Sequence, residues 1–106
     1  MINFEHFKQL DIKIGTVIEA ETIPNADKLL KLQIDLGTET RQVLAGIAEF
    51  IDDPKDLIGK QIPVLTNLEP RTMRGLESQG MILAAEDGGP VLLHPEKEVP
   101  NGSPVM

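Results

Sequence analysis

Arg71 and Arg74 lie in a stretch from Asn67 to Met81 that also carries Gly75, Ser78, Gln79 and Gly80, between two apolar alternating segments. A guanidinium forks onto phosphate oxygens with two parallel N–H bonds, so two arginines on an exposed loop could grip a polyphosphate backbone. Gly75 and Gly80 let the chain turn closely, and Ser78 and Gln79 add hydrogen bonds that do not depend on charge. The same composition also describes an ordinary strand-connecting loop with solvated charges. Chemistry alone leaves both readings open.

No other constellation competes with this one. His6 and His94 sit at opposite ends of the chain without metal-ligand spacing. Ser78 is not a nucleophile elbow, because Leu76 stands where that turn needs glycine. Asp52, Asp53 and Asp56 read as helix-start chemistry around Pro54, and neither Lys28 nor Lys60 has phosphate-loop spacing. We expect no catalytic residue, no metal site and no cofactor.

The elements that must hold this loop are mostly strands. Asn3 caps a short helix with Phe4, Phe7 and Leu10 on one face. From Asp11 to Ile23 the even positions Ile12, Ile14, Ile18 and Ala20 alternate with polar residues, and Gly15 predicts a bulge or sharp coil there. A turn at Pro24 to Asp27 precedes the cleanest strand, where Leu30, Leu32, Ile34 and Leu36 alternate with Lys31, Gln33 and Asp35. A third strand follows over 41–46, then a short helix capped by Asp53 and ended by Gly59. Ile62, Val64 and Leu68 mark a fourth strand, with Pro63 suited to an edge or bulge. Met81 to Ala85 makes a fifth, and Val91 to Leu93 a further short one. Five strands with a helix between the third and fourth predict an all-β fold with short helices. Its form is a five-stranded OB-fold barrel over 11–86, with a helix at 1–10 and an extension at 87–106 in a single domain. A β-sandwich fits the helix less well.

Composition limits the partners. A chain of 106 residues with 41% hydrophobic and 3% aromatic content needs an aliphatic core, and Phe50 is expected in it. The net charge of −7, from 17 acidic and 10 basic residues, repels a polyanion at long range. Screening over about 8–10 Å limits that repulsion, so binding would rest on a local basic cluster. There is no membrane span, no signal peptide and no cysteine. These absences predict a cytoplasmic protein with no membrane partner.

Four spaced segments carry a family likeness: Asp11 to Val17, Pro24 to Leu29, Gln42 to Ile47, and Asn67 to Met81. Together they resemble the tRNA-binding domain family, found in methionyl-tRNA synthetases, free-standing structure-specific tRNA-binding proteins and endothelial-monocyte-activating polypeptide. The ends, Ile2 to Phe7 and Leu93 to Pro100, look most like the methionyl-tRNA synthetase branch, as a carboxy-terminal domain or β subunit. The likeness implies an OB-fold that binds tRNA by shape and commonly dimerises through elements outside the barrel. Its motif falls on Asn25, Lys28, Asn67, Arg71, Arg74, Ser78, Gly80 and Met81. Glu69 and Thr72 stand where many members carry lysine, and Lys13 where arginine is common. Both departures predict weaker phosphate contact.

In such a barrel the face of strands two and three lies beside the loop between strands four and five. Lys28, Lys31, Arg41, Arg71 and Arg74 are therefore expected to converge, with Gln79 adding a neutral contact. Solvated strand residues remain an equal reading for Lys31 and Arg41. Missing stacking aromatics favour folded RNA over single strands. A homodimer is expected to cover Phe4, Phe7, Val91, Leu92, Leu93 and Val99, unless these close the ends of the monomer's own barrel. A methionyl-tRNA synthetase catalytic subunit is the further partner the likeness implies. The competing reading is a dimerisation or scaffolding module with vestigial RNA contacts, which the acidic total, Glu69 and Thr72 favour.

Overall fold

In the computed structural model, which describes residues 1–106, the alternating segment around Leu32 becomes the second strand of a curled sheet. The strands are β1 (Ile12–Ile23), β2 (Ala26–Asp35), β3 (Thr40–Ala45), β4 (Gln61–Leu65), β5 (Arg71–Met73), β6 (Leu76–Ser78), β7 (Met81–Ile82), β8 (Ala84–Glu86) and β9 (Pro90–Leu92). One helix, α1 (Phe4–Lys8), precedes them, and single 3-10 turns span Ala48–Phe50 and Pro54–Leu57. Asn3 caps α1 by accepting from the His6 N–H, and Asp53 caps the second turn by accepting from the Lys55 N–H.

The main sheet is antiparallel in the order β3-β2-β1-β4-β7, flanked by the hairpins β5-β6 and β8-β9. Leu30, Leu32, Ile34, Val17, Val43, Ile62 and Val64 are fully buried on its inner face. The core is aliphatic throughout. Phe50, expected in it, is instead 54% exposed.

The expected barrel is not closed by a continuous ladder. Where β3 comes round to residues 77–80, closure rests on one backbone bond and several side chains. The Gln79 N–H donates to the Gln42 carbonyl at 2.8 Å. The Gln42 side chain donates to the Glu77 carbonyl, and the Gln42 N–H donates to the Gln79 side-chain oxygen.

Other expectations need correction. The bulges in β1 fall not at Gly15 but between Val17 and Glu19 and again between Thr22 and Ile23, where the register against β2 shifts. A bulge adds one residue to one strand and reverses the in–out parity beyond it. The inward set therefore passes from Val17 to Ala20, with Ile18 outward and 43% exposed, while an earlier change of parity between Ile14 and Val17 brackets Gly15. Gly15 serves close approach instead: a Cβ there would stand 2.5 Å from Ile34 Cγ2 and 2.9 Å from the Asp35 carbonyl oxygen. Pro63 lies in β4 between two partners rather than at an edge. On the β1 side Ile14 opposite uses its own N–H and C=O on Ser103 and Gly102, and on the other side Pro63 only accepts, from the Leu83 N–H just past the end of β7, where the ladder breaks. The fifth strand breaks at Leu83 into β7 and β8, and Leu68 lies beyond β4, on the surface.

The segment 87–106 is wired into the sheet. Ile14 N–H donates to Ser103 O, Gly102 N–H to Ile14 O and Val105 N–H to Ile12 O. These bonds cover the end of β1 that β2 does not reach. Asn101 Oδ1 accepts from Thr16 and from Gln61, whose side chain also bonds both backbone groups of Val99.

Candidate nucleic-acid interface

The stretch from Asn67 to Met81 is not one loop. Its middle is a tight hairpin in which β5 and β6 pair from Arg71↔Ser78 to Met73↔Leu76, leaving Arg74 and Gly75 as a two-residue turn. Both turn residues have positive φ, 53° and 78°. Two positive values are the signature of a type I′ turn, which matches strand twist and favours Asn, Asp or Gly. An arginine there holds a left-handed backbone at a cost of roughly 1–2 kcal/mol.

A second tip lies alongside. β1 and β2 join through Pro24 and Asn25, between the paired Ile23 and Ala26. Proline followed by a left-handed residue, here Asn25 at φ 63°, is the pattern of a type II turn. Asn25, Lys28, Leu29 and Arg74 line a cleft of 430 Å³ between the two tips, with Asp27 the acidic group in it. Met73 and Leu76 pack against Ile23, Ala26 and Leu44, which fixes the hairpins against each other.

Of the five cations expected to converge, the structure brings Lys28 and Arg74 to this cleft. Arg71 stands beyond Leu29, on the edge of a neighbouring groove. All three side chains are exposed and lack a carboxylate partner. Lys31 and Arg41 are different. Lys31 Nζ lies 3.8 Å from Glu21 Oε1 across the β1-β2 ladder. Arg41 Nε donates to Glu39 at 2.6 Å, while its Nη1 donates to the Thr66 and Gln79 carbonyls. That hydrogen bond, helped by the charges of Arg41 and Lys13, holds the Glu39 carboxyl below its ordinary pKa. Arg41 is a tie between β3 and the ends of β4 and β6, with its charge already answered.

The neutral residues mostly hold the scaffold. Ser78 is buried, accepting from the Leu44 N–H and donating to the Gly80 carbonyl, so its hydroxyl is not free to meet a ligand. Asn67 accepts from the Asp11 N–H at 2.8 Å and donates to the Gln9 carbonyl at 2.6 Å, which anchors α1. Gln79 is half-buried and bonds Glu77 and Gln42. Met81 is exposed on the wall of the groove beside Arg71.

The residues read as a dimer surface divide similarly. Phe4, Val91 and Leu93 are exposed and Phe7 is half-buried. Leu92 packs against the monomer's own core, and Val99 is held by Gln61. Missed from sequence altogether was the pairing of the two tips.

A family model described as "Putative tRNA binding domain" matches residues 12–104. The chain is 49% identical over 106 residues to a methionine–tRNA ligase of Chloroherpeton thalassium, and 53% identical over 105 residues to that of Archaeoglobus fulgidus. Each alignment covers 98% of this chain but only 15% and 16% of those enzymes. Among solved structures, a MetRS related protein from Pyrococcus horikoshii is 39% identical with a TM-score of 0.93, covering 100% of this chain and 98% of that one. The chaperone CsaA from Bacillus anthracis is 39% identical with a TM-score of 0.88, covering 100% and 99%.

Proposed function

This chain belongs to the tRNA-binding domain family, and from that membership we propose that it binds tRNA by shape and backbone charge, as an accessory module of a methionyl-tRNA synthetase. It spans about 15% of the length of the ligases it matches, so the aminoacylation chemistry belongs to the rest of such an enzyme or to a separate catalytic subunit. In this reading Lys28, Arg74 and Arg71 contact phosphates. Asn25 shapes the first tip, and Ser78, Asn67 and Gln79 hold the second in place. The module raises its synthetase's affinity for tRNA in the cytoplasm and works as a homodimer through Phe4, Phe7, Val91 and Leu93.

The observation that carries this reading is the backbone of Arg74. Glycine or asparagine would relieve the left-handed strain at that turn position, and strain of this kind persists where the side chain serves a purpose. An exposed arginine without a carboxylate partner, facing Lys28 across a cleft, offers a phosphate two charge-assisted contacts.

A gel shift with unfractionated tRNA tests it. We expect a complex at low salt that weakens at physiological salt, with less than tenfold preference for any one tRNA. Failure to shift tRNA at low salt would contradict the reading. A scaffolding module with vestigial RNA contacts is the second reading. It draws on the net charge of −7 and on the neutralised Lys31 and Arg41. Sedimentation at micromolar concentration checks the dimer, and a monomeric mass would remove it from either reading.

A further inference from the structure

Beside the cationic cleft runs an open groove of 640 Å³, most of whose lining is apolar. Leu29 lines both, so the groove continues the cleft past the β5-β6 hairpin. Its size falls within the range of roughly 300–1,000 Å³ typical of small-ligand sites. Met73 and Met81 contribute flexible, polarizable side chains to its walls. Phe50, 54% exposed, supplies the aromatic surface. The ring rests on Gly89, where a Cβ would come within 2.8 Å of Cδ1 and Cε1. Any larger residue at that position would have to displace the ring.

Two charged residues line the groove, Arg71 from β5 and Glu86 from β8. Arg71 has no carboxylate partner. A suitable occupant is therefore flat and apolar at one end and anionic at the other, with its anion toward Arg71 and away from Glu86. A nucleotide whose base has left its stack has that form. We propose that this groove receives one unstacked nucleobase of the bound RNA, lying against Phe50, while Arg71 holds the adjoining phosphate. The inference rests on the proposed RNA binding and adds to it a contact that a duplex cannot make. Base–aromatic stacking tolerates any base, because every base has a π-face. The groove thus favours RNAs with an exposed base without selecting a sequence.

The test uses two RNA hairpins of equal phosphate count. One carries a single unpaired 2-aminopurine, and the other carries the same 2-aminopurine paired within the stem. With the intact protein we expect roughly tenfold tighter binding of the unpaired form, in line with typical stacking contributions, and a change in 2-aminopurine fluorescence on binding. Phe50→Ala should erase that preference and leave the paired hairpin's affinity and salt slope unchanged. Phe50→Tyr should keep it. Phe50 is exposed, so both variants are expected to melt as cooperatively as the parent.

Equal binding of the two hairpins by the intact protein would overturn the inference while leaving RNA binding itself in place. So would a preference that survives Phe50→Ala. If neither hairpin binds, the proposed function falls and this inference falls with it. Loss of dimer mass on Phe50→Ala, or an apolar peptide bound through Phe50 with no RNA preference, would assign the groove to a protein occupant and overturn it too.

Discussion

Arg74 and Lys31 carry the same formal charge in different settings, and the difference predicts different mutants. Arg74 is exposed at φ 53° with no carboxylate partner, whereas Lys31 lies 3.8 Å from Glu21. Arg74→Gly should therefore separate stability from binding. Relief of the left-handed strain should raise the melting temperature, by an amount worth about 1 kcal/mol. Loss of a charge-assisted contact of about 1.5–3 kcal/mol should lower tRNA affinity by about tenfold or more. Lys31→Ala should change affinity much less, since a partnered surface lysine contributes little. Thermal melts and tRNA titrations on the two variants check this. Equal affinity losses would move the site off the hairpin.

Ser78 predicts the opposite pattern. Ser78→Ala leaves the buried Leu44 N–H without its acceptor, which should destabilise the fold by about 1–3 kcal/mol. The salt slope of tRNA binding should stay unchanged, and a lower slope would return Ser78 to the contact surface. Glu39 sets a pH dependence. Its folded pKa is depressed, so its contribution is present above the ordinary carboxylate pKa and lost as pH falls through the folded value. Glu39→Gln should remove that acid-side slope from the melting profile, most of all below the usual carboxylate range.

At the scale of elements, the tail gives the sharpest contrast. Gly102 and Gly88 both have positive φ, 90° and 69°, so alanine strains either one. Only at 102 would the new Cβ meet backbone, 2.5 Å from the Leu36 carbonyl oxygen, whereas nothing lies within 4 Å at 88. Gly102→Ala should lower the denaturant midpoint well beyond Gly88→Ala. Equal midpoints would mean that the tail does not hold the edge of β1.

This contact was invisible in sequence because it is made by backbone groups, which leave no side-chain pattern. The β5-β6 hairpin was hidden for a related reason. Its strands are three residues each, too short to show alternation, and Arg74 stands where Asn or Gly would have announced the turn. The reading of β1 missed two changes of parity, one between Ile14 and Val17 and one at the bulge after Val17, which together put Val17 inward and Ile18 outward. By contrast, β2 and the cap at Asp53 were readable directly. Each is specified by residues adjacent in sequence, and tertiary structure did not overrule them.

Over the whole molecule, the acidic total of −7 and the local cations act at different ranges. Repulsion is screened within about 8–10 Å, while the proposed phosphate contacts at the cleft would act at hydrogen-bond distance. Binding should thus be weak and strongly salt-dependent, with log K falling against log salt at about −3 to −4 for three to five phosphates. The fold class was legible from the sequence, and so was the exposure of Arg71 and Arg74, though not the hairpin that carries them. Which cations remained free was not, because Glu21 reaches Lys31, and the Thr66 and Gln79 carbonyls reach Arg41, only once the strands pair and turn.

The proposed phosphate grip lies in the cleft between the two hairpin tips, at Lys28 and Arg74. Its most direct test is the salt dependence of tRNA binding by Lys28→Ala/Arg74→Ala, set beside the parent and Lys31→Ala. Each phosphate contact removed should reduce the slope by nearly one. The double variant should therefore lose nearly two units of slope while Lys31→Ala keeps the parental value. An unchanged slope in the double variant, with its fold intact by melting, would contradict the account.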